Sequence, residues 1–118
     1  LPVSVPSHCS LMKPAADQLA ERLAQTTIQA PSIPVLHNLD AKARTNPDEI
    51  RSALHQQLFK PVRWTATIQS LAGQGVGLFL ECGPGRVLTG LTKRIASSTK
   101  FLALEDPATH AQARNLIS

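Results

Sequence analysis

Apolar residues in this chain recur at two different periods. Leu11, Ala15, Leu19 and Leu23, with Met12 and Ala16 beside them, repeat at three- and four-residue intervals, the spacing that gathers side chains on one face of a helix. The pattern predicts a helix over 11–24, with Ser10 as its N-cap and Pro14 in the first turn, where a missing N–H costs little. Asn46-Pro47-Asp48-Glu49 opens a second helix: Asn46 caps, Pro47 takes the first helical position and Glu49 completes a capping-box pattern. Ile50, Ala53, Leu54 and Leu58 supply its apolar face, and Lys60-Pro61 ends it. A third helix, over 62–72, carries Trp64, Ile68 and Leu71 on one side and closes at Gly73 and Gly75. A fourth, over 87–96, turns Val87, Leu88, Leu91 and Ile95 inward and leaves Arg86, Lys93 and Arg94 to solvent. Asp106-Pro107 caps a last one over 110–116.

Between the helical stretches the apolar runs are short and continuous. Residues 1–5 read as a strand limited by Pro2 and Pro6, and 33–38 as a strand that Pro34 confines to a sheet edge or a strand start. The run 76–82 is the strongest, suited to a strand buried on both faces of a parallel sheet. Residues 101–104 form the last. Asn38-Leu39-Asp40 and Gly83-Pro84-Gly85 read as turns. Strands alternating with helices predict an α/β fold with short parallel strands.

Composition narrows the classes. The chain has 118 residues, 42% hydrophobic and 17% charged, which fits one globular domain or a fragment of a larger one. It starts without Met, in mid-strand, which suggests a cleaved or truncated piece. No apolar run approaches the ~18 residues of a membrane span, and no signal-peptide pattern opens the chain. The net charge of +4 is spread out, with no Lys/Arg block and no interleaved aromatics, so nucleic acid is not the expected partner. An acidic protein or a phosphorylated ligand suits the balance. Cys9 and Cys82 form neither a CxxC pair nor a zinc spacing, and read as reduced thiols of a cytosolic protein.

The candidate chemistry starts at His8, set at a strand-to-helix corner. A histidine there is an acid–base candidate, or a surface or satisfied core residue. His37, His55 and His110 share no short ligand spacing, so no metal site is expected. Gly83-Pro84-Gly85-Arg86, between a strand and a helix, could bind phosphate on backbone N–H groups, or simply make a sharp turn. It matches neither a dinucleotide fingerprint nor a Walker loop. No GxSxG nucleophile elbow is present, and Ser4, Ser7 and Ser10 flank His8 on one strand, where side chains rarely point together.

Four blocks in order carry a resemblance: residues 3–16 (Val3-Ser4-Val5-Pro6-Ser7-His8-Cys9-Ser10 onward), Pro34-Val35-Leu36-His37-Asn38, the run from Gln57 to Trp64, and the run from Glu81 to Leu91. Together they resemble the bacterial malonyl-CoA:acyl carrier protein transacylases of fatty acid synthesis, from near the first residue to about Ile95. The resemblance implies that residues 1–118 are the C-terminal segment of the large, hydrolase-like acyltransferase subdomain. It implies transfer of malonyl from coenzyme A to the phosphopantetheine thiol of acyl carrier protein by a ping-pong Ser-His mechanism. His8 matches the family's general acid–base histidine and Gln57 the residue whose backbone carbonyl orients it. An imidazole titrates at about 6.5, so one ring can serve as base and then acid at neutral pH. A carbonyl accepting from Nδ1–H fixes the tautomer that leaves Nε2 for the serine.

The same resemblance places Ser7 in the substrate pocket. Val5-Pro6-Ser7-His8 matches neither of the common polyketide tetrads, HAFH and YASH, and malonyl follows from the overall match. Lys93 and Arg94 are a candidate docking patch for the acidic carrier protein, or an ordinary solvated face. A cytoplasmic, monomeric parent enzyme is expected, using malonyl-CoA as substrate and no permanently bound cofactor. The family's GHSxGE nucleophile, its carboxylate-binding arginine, its oxyanion-hole glutamine and most of its ferredoxin-like subdomain are not in these 118 residues, so the chain alone is expected to be inactive. The alternatives are a non-catalytic fragment or interaction module that keeps the fold, and an α/β nucleotide-binding domain using Gly83 to Arg86.

Overall fold

The computed structural model describes residues 6–117; the strand expected over 1–5 lies outside them. The chain divides into two compact units, 1–67 and 68–118.

In the first unit a single 3-10 turn, Ser10–Met12, leads into helix α1, Lys13–Gln25. Ser10 starts that turn instead of capping the helix, whose cap position is Met12, without a side-chain bond. Pro14 sits in the first turn as expected. The buried face is narrower than the sequence stripe: Ala16 is fully buried, Leu19 and Leu23 are half-buried, and Leu11 and Ala15 are exposed. Leu11 belongs to the 3-10 turn, whose tighter winding breaks the 3.6-residue phase.

Helix α2, Pro47–Gln57, packs against α1 through a face that buries Ile50 and Ala53. The Asn46 side chain accepts from the N–H groups of Asp48 (2.8 Å) and Glu49 (3.3 Å), which supplies two of the orphan donors of the first turn. Arg51 crosses to α1: Nε donates to the Leu23 carbonyl (2.9 Å) and Nη2 to that of Thr26 (2.8 Å), while Nη1 holds Asp48 (2.9 Å). Its cation thus sits on the carbonyl end of α1, where the helix dipole favours positive charge.

The stretch 33–38 is not a strand. It makes one antiparallel bridge, Leu36 to Ala43. Pro34 has no N–H to give a ladder, and the chain turns back at once. The Ala41 N–H donates to the His37 carbonyl (2.9 Å), Ala41 has φ 60°, and Arg44 grips Asp40 through two bonds of 3.0 and 2.7 Å.

Helix α3, Trp64–Gly73, begins two residues later than expected. The N–H of Val76 reaches the Leu71 carbonyl (3.1 Å) and that of Gly75 the Ala72 carbonyl (3.0 Å). That is a Schellman closure, and it needs the left-handed φ of 89° that Gly75 supplies.

The second unit is built on two parallel strands, β1 (Leu78–Cys82) and β2 (Lys100–Leu104), in register from Leu78 opposite Lys100 to Cys82 opposite Leu104. Phe79 and Phe101 are directly paired and their rings stack at 5.5 Å. β1 is half-buried, not covered on both faces as its apolar run suggests. Helix α4, Val87–Ile95, packs on both strands, and α5, Pro107–Ile117, on β2. α4 buries Thr92, while Val87 and Leu88, expected to point inward, are exposed. α5 starts three residues earlier than the pattern indicates, because Asp106 and Thr109 exchange capping bonds: Thr109 N–H to Asp106 Oδ1 at 2.8 Å, Asp106 N–H to Thr109 Oγ1 at 3.2 Å.

Candidate functional site

His8 lies just before the 3-10 turn with φ 55°. Left-handed backbone is uncommon outside glycine, though histidine is among the residues that tolerate it, and it clusters where function holds the chain. The ring reaches the end of α2, where Nδ1 is 2.7 Å from the backbone carbonyl oxygen of Gln57. A carbonyl can only accept, so Nδ1 carries the hydrogen and a neutral ring presents the Nε2 lone pair outward. Gln57 is the last residue of α2, and its carbonyl is one of the four that an α-helix leaves without an internal partner.

A second set of contacts ties the N-terminal part of α1 to the end of α2 and the residues just after it. Asp17 Oδ1 lies 3.2 Å from Lys13 Nζ and 3.0 Å from His55 Nε2. The Lys13 ammonium sits 5.3 Å above the Phe59 ring, and His55 meets that ring edge-on. Hydrogen bonds from His55 and then Lys13 hold the Asp17 carboxyl below the usual aspartate range. The i,i+4 spacing of Lys13 with Asp17 and of His55 with Phe59 is visible in the sequence. The joining of the two pairs across helices is not.

Ser7 is exposed beside His8. Among the described residues, no serine side chain bonds to the His8 ring. His37 is buried in the 37–41 turn, where burial and the nearby Arg44 cation depress its pKa and Asp40 only partly offsets them. Among the described residues no group of three His, Cys, Asp or Glu side chains is arranged to hold a metal ion, and no helix is long and apolar enough to cross a membrane. Cys9 and Cys82 are free thiols.

Gly83 and Gly85 adopt φ of 146° and 88°, so the segment makes the sharp turn that only glycine takes easily. The anion site it could have offered is filled from within. Glu81 Oε1 accepts from the Leu88 N–H (3.0 Å) and Oε2 from the Thr89 N–H (2.7 Å). The carboxylate of Glu81, next to last in β1, thereby occupies the amides at the start of α4 that a phosphate would need. Sequence reading missed Glu81, although a carboxylate seven residues before a helix's first free amides is its visible trace. Arg86 is exposed, as expected, and forms an ion pair with Glu105. Lys93 and Arg94 are exposed in the last turn of α4, within the second unit.

No protein-family model matches the chain. The malonyl CoA-acyl carrier protein transacylase of Escherichia coli (strain K12) is 55% identical over 116 residues, 98% of this chain and 38% of the relative. The crystal structure of malonyl-CoA:acyl carrier protein transacylase from Xanthomonas oryzae pv. oryzae superposes with a TM-score of 0.93 at 48% identity, over 98% of this chain and 37% of that one. A malonyl-transacylase in complex with a type II PKS acyl-carrier protein gives 0.93 at 51% identity, over 98% and 38%. This chain therefore spans less than two-fifths of the length of these relatives, and in sequence and backbone it corresponds to a C-terminal portion of the malonyl CoA-acyl carrier protein transacylases.

Proposed function

We propose that residues 1–118 are the C-terminal segment of the large subdomain of a malonyl-CoA:acyl carrier protein transacylase of fatty acid synthesis, and that His8 is its general acid–base group. The observation carrying this reading is the 2.7 Å contact between His8 Nδ1 and the Gln57 carbonyl. It leaves Nε2 to act on a serine supplied by the rest of the parent protein. Nε2 takes the serine proton as the oxygen attacks the malonyl thioester carbon. The imidazolium then returns that proton to the coenzyme A sulfur as the C–S bond breaks, leaving malonyl-serine. In the second half-reaction Nε2 takes the proton of the phosphopantetheine thiol, whose sulfur attacks the malonyl ester, and gives it back to the serine oxygen. One ring serves both directions because Nε2 takes a proton in the first step of each half-reaction and returns it in the second.

In this reading Ser7 lines the acyl pocket beside His8, and Lys93 with Arg94 meets the acidic carrier protein. The parent enzyme is cytoplasmic and monomeric, with malonyl-CoA as substrate and no resident cofactor. Replacing His8 by Ala in the intact protein should lower malonyl transfer by about 10²–10⁴-fold, the range of general acid–base catalysis. The rate of malonyl-serine formation, followed by rapid-quench mass spectrometry, is the check. A His8→Ala enzyme that acylates at the native rate would sink the assignment. Reversing both charges at Lys93 and Arg94 should raise the KM for carrier protein at low salt and leave that for malonyl-CoA alone, since rim charges act mainly on encounter.

A further inference from the structure

The way α2 ends is set by one residue. Its hydrogen-bond ladder continues beyond Gln57: the N–H of Lys60 donates to the Gln56 carbonyl at 3.1 Å, and Leu58 keeps helical angles (φ −66°, ψ −35°). The next rung would join the amide of residue 61 to the carbonyl of Gln57. Residue 61 is proline. It has no N–H, and its ring crowds the carbonyl four residues back. The Gln57 carbonyl is thus denied its intrahelical donor at the one rung where His8 needs it, and His8 Nδ1 takes the place at 2.7 Å.

We infer that Pro61 is a positioning residue for His8: by withholding the amide of residue 61 it reserves the Gln57 carbonyl for Nδ1–H and so keeps Nε2 free. Its consequence for turnover rests on the reading of His8 as the acid–base group; its consequence for the ring does not. With an amide at 61, the carbonyl gains a competing donor along the helix axis. A carbonyl has two acceptor positions, so the His8 bond weakens rather than vanishes.

The test uses the intact protein that carries this chain and a pair of variants differing only in that N–H. Pro61→Ala restores the amide, and Pro61→lactic acid, introduced as a backbone ester, does not. Ring nitrogen shifts of His8 report the tautomer without any turnover, and kcat and KM for malonyl-CoA report the chemistry. In the Ala variant the Nδ1–H tautomer should lose its dominance and kcat should fall about tenfold, the worth of one hydrogen bond, with KM little changed. The ester variant should recover the native tautomer and rate. Equal behaviour of the two variants, native-like or impaired alike, overturns the proposal. A tautomer shift in a parent protein that transfers no malonyl would overturn the transacylase reading and leave the positioning role standing.

Discussion

His37 and His8 are the same side chain in opposite settings. His8 sits in an exposed segment with one nitrogen engaged, whereas His37 is 6% exposed and its pKa lies below the ordinary 6.5, mainly through burial and then through Arg44. A depressed histidine binds protons more readily unfolded than folded, so it favours the folded chain above about pH 6.5 and loses that contribution as pH falls from there through the folded value. Thermal melts between pH 7.5 and 5 should show stability declining, and His37→Gln should flatten that limb. An unchanged slope in the variant would remove His37 as its source. The sequence shows His37 at the end of the apolar run Val35-Leu36 but not that Arg44 returns to face it, because the turn at Ala41 needs a left-handed alanine that no local pattern announces. Glu81 titrates on the acid side. Burial opposes its charge, but hydrogen bonds from Thr89 and Leu88 outweigh it and hold the carboxyl below its ordinary 4.5. Its stabilisation is present above that value and disappears as pH falls through the folded one. Glu81→Gln should therefore remove part of the acid unfolding below about pH 4.5, at the cost of turning an amide NH2 toward a helix N–H. A circular-dichroism titration of both forms reads it.

At the scale of elements, α2 was the most legible, since its start signal is local. Asn46, Pro47 and the acidic first turn all act within four residues, and the structure places the helix there. Asn46→Ala should cost about 1 kcal/mol, the usual worth of an N-cap side chain, read by urea unfolding of the intact protein. Arg51 belongs to the opposite kind. Its bonds to Leu23 and Thr26 span 28 and 25 residues, so no window of sequence contains them. Arg51→Met, which keeps the aliphatic stem, should cost about 1–3 kcal/mol because two helix-end carbonyls lose a charged donor. A cost no larger than that of a surface substitution would show that water replaces the guanidinium without penalty. The misread strand at 33–38 has the same origin as the missed Arg51: apolar residues show that a segment avoids water, and only a partner strand elsewhere in the chain decides whether it becomes a strand. At the end of α2 the relevant signal was local after all. A proline four residues past Gln57 marks an unclaimed carbonyl in any sequence.

For the molecule as a whole, the apolar surface and the catalytic inventory point the same way. Leu11, Ile33 and Val35 are 73%, 75% and 54% exposed, while the relatives extend over more than twice this chain's length. Large exposed aliphatic residues are what remains when a surface built to be covered stands open. Composition could not reveal this, since 42% hydrophobic residues suit a whole small domain as well as a part of a larger one. The same 118 residues contain an acid–base candidate in His8 and an orienting carbonyl at Gln57, but no Gly-His-Ser-x-Gly-Glu nucleophile. General base catalysis without its nucleophile has no covalent intermediate to form. The isolated chain, incubated with malonyl-CoA, should therefore show no added malonyl mass, and it should bind a hydrophobic-surface dye more strongly than the intact protein does. If His8 works with a serine carried by the rest of a transacylase, as proposed, co-expression with that remaining portion should quench the dye signal and restore acylation together. Acylation of the isolated chain would place a nucleophile within these residues and overturn the division of labour between His8 and the rest of the enzyme.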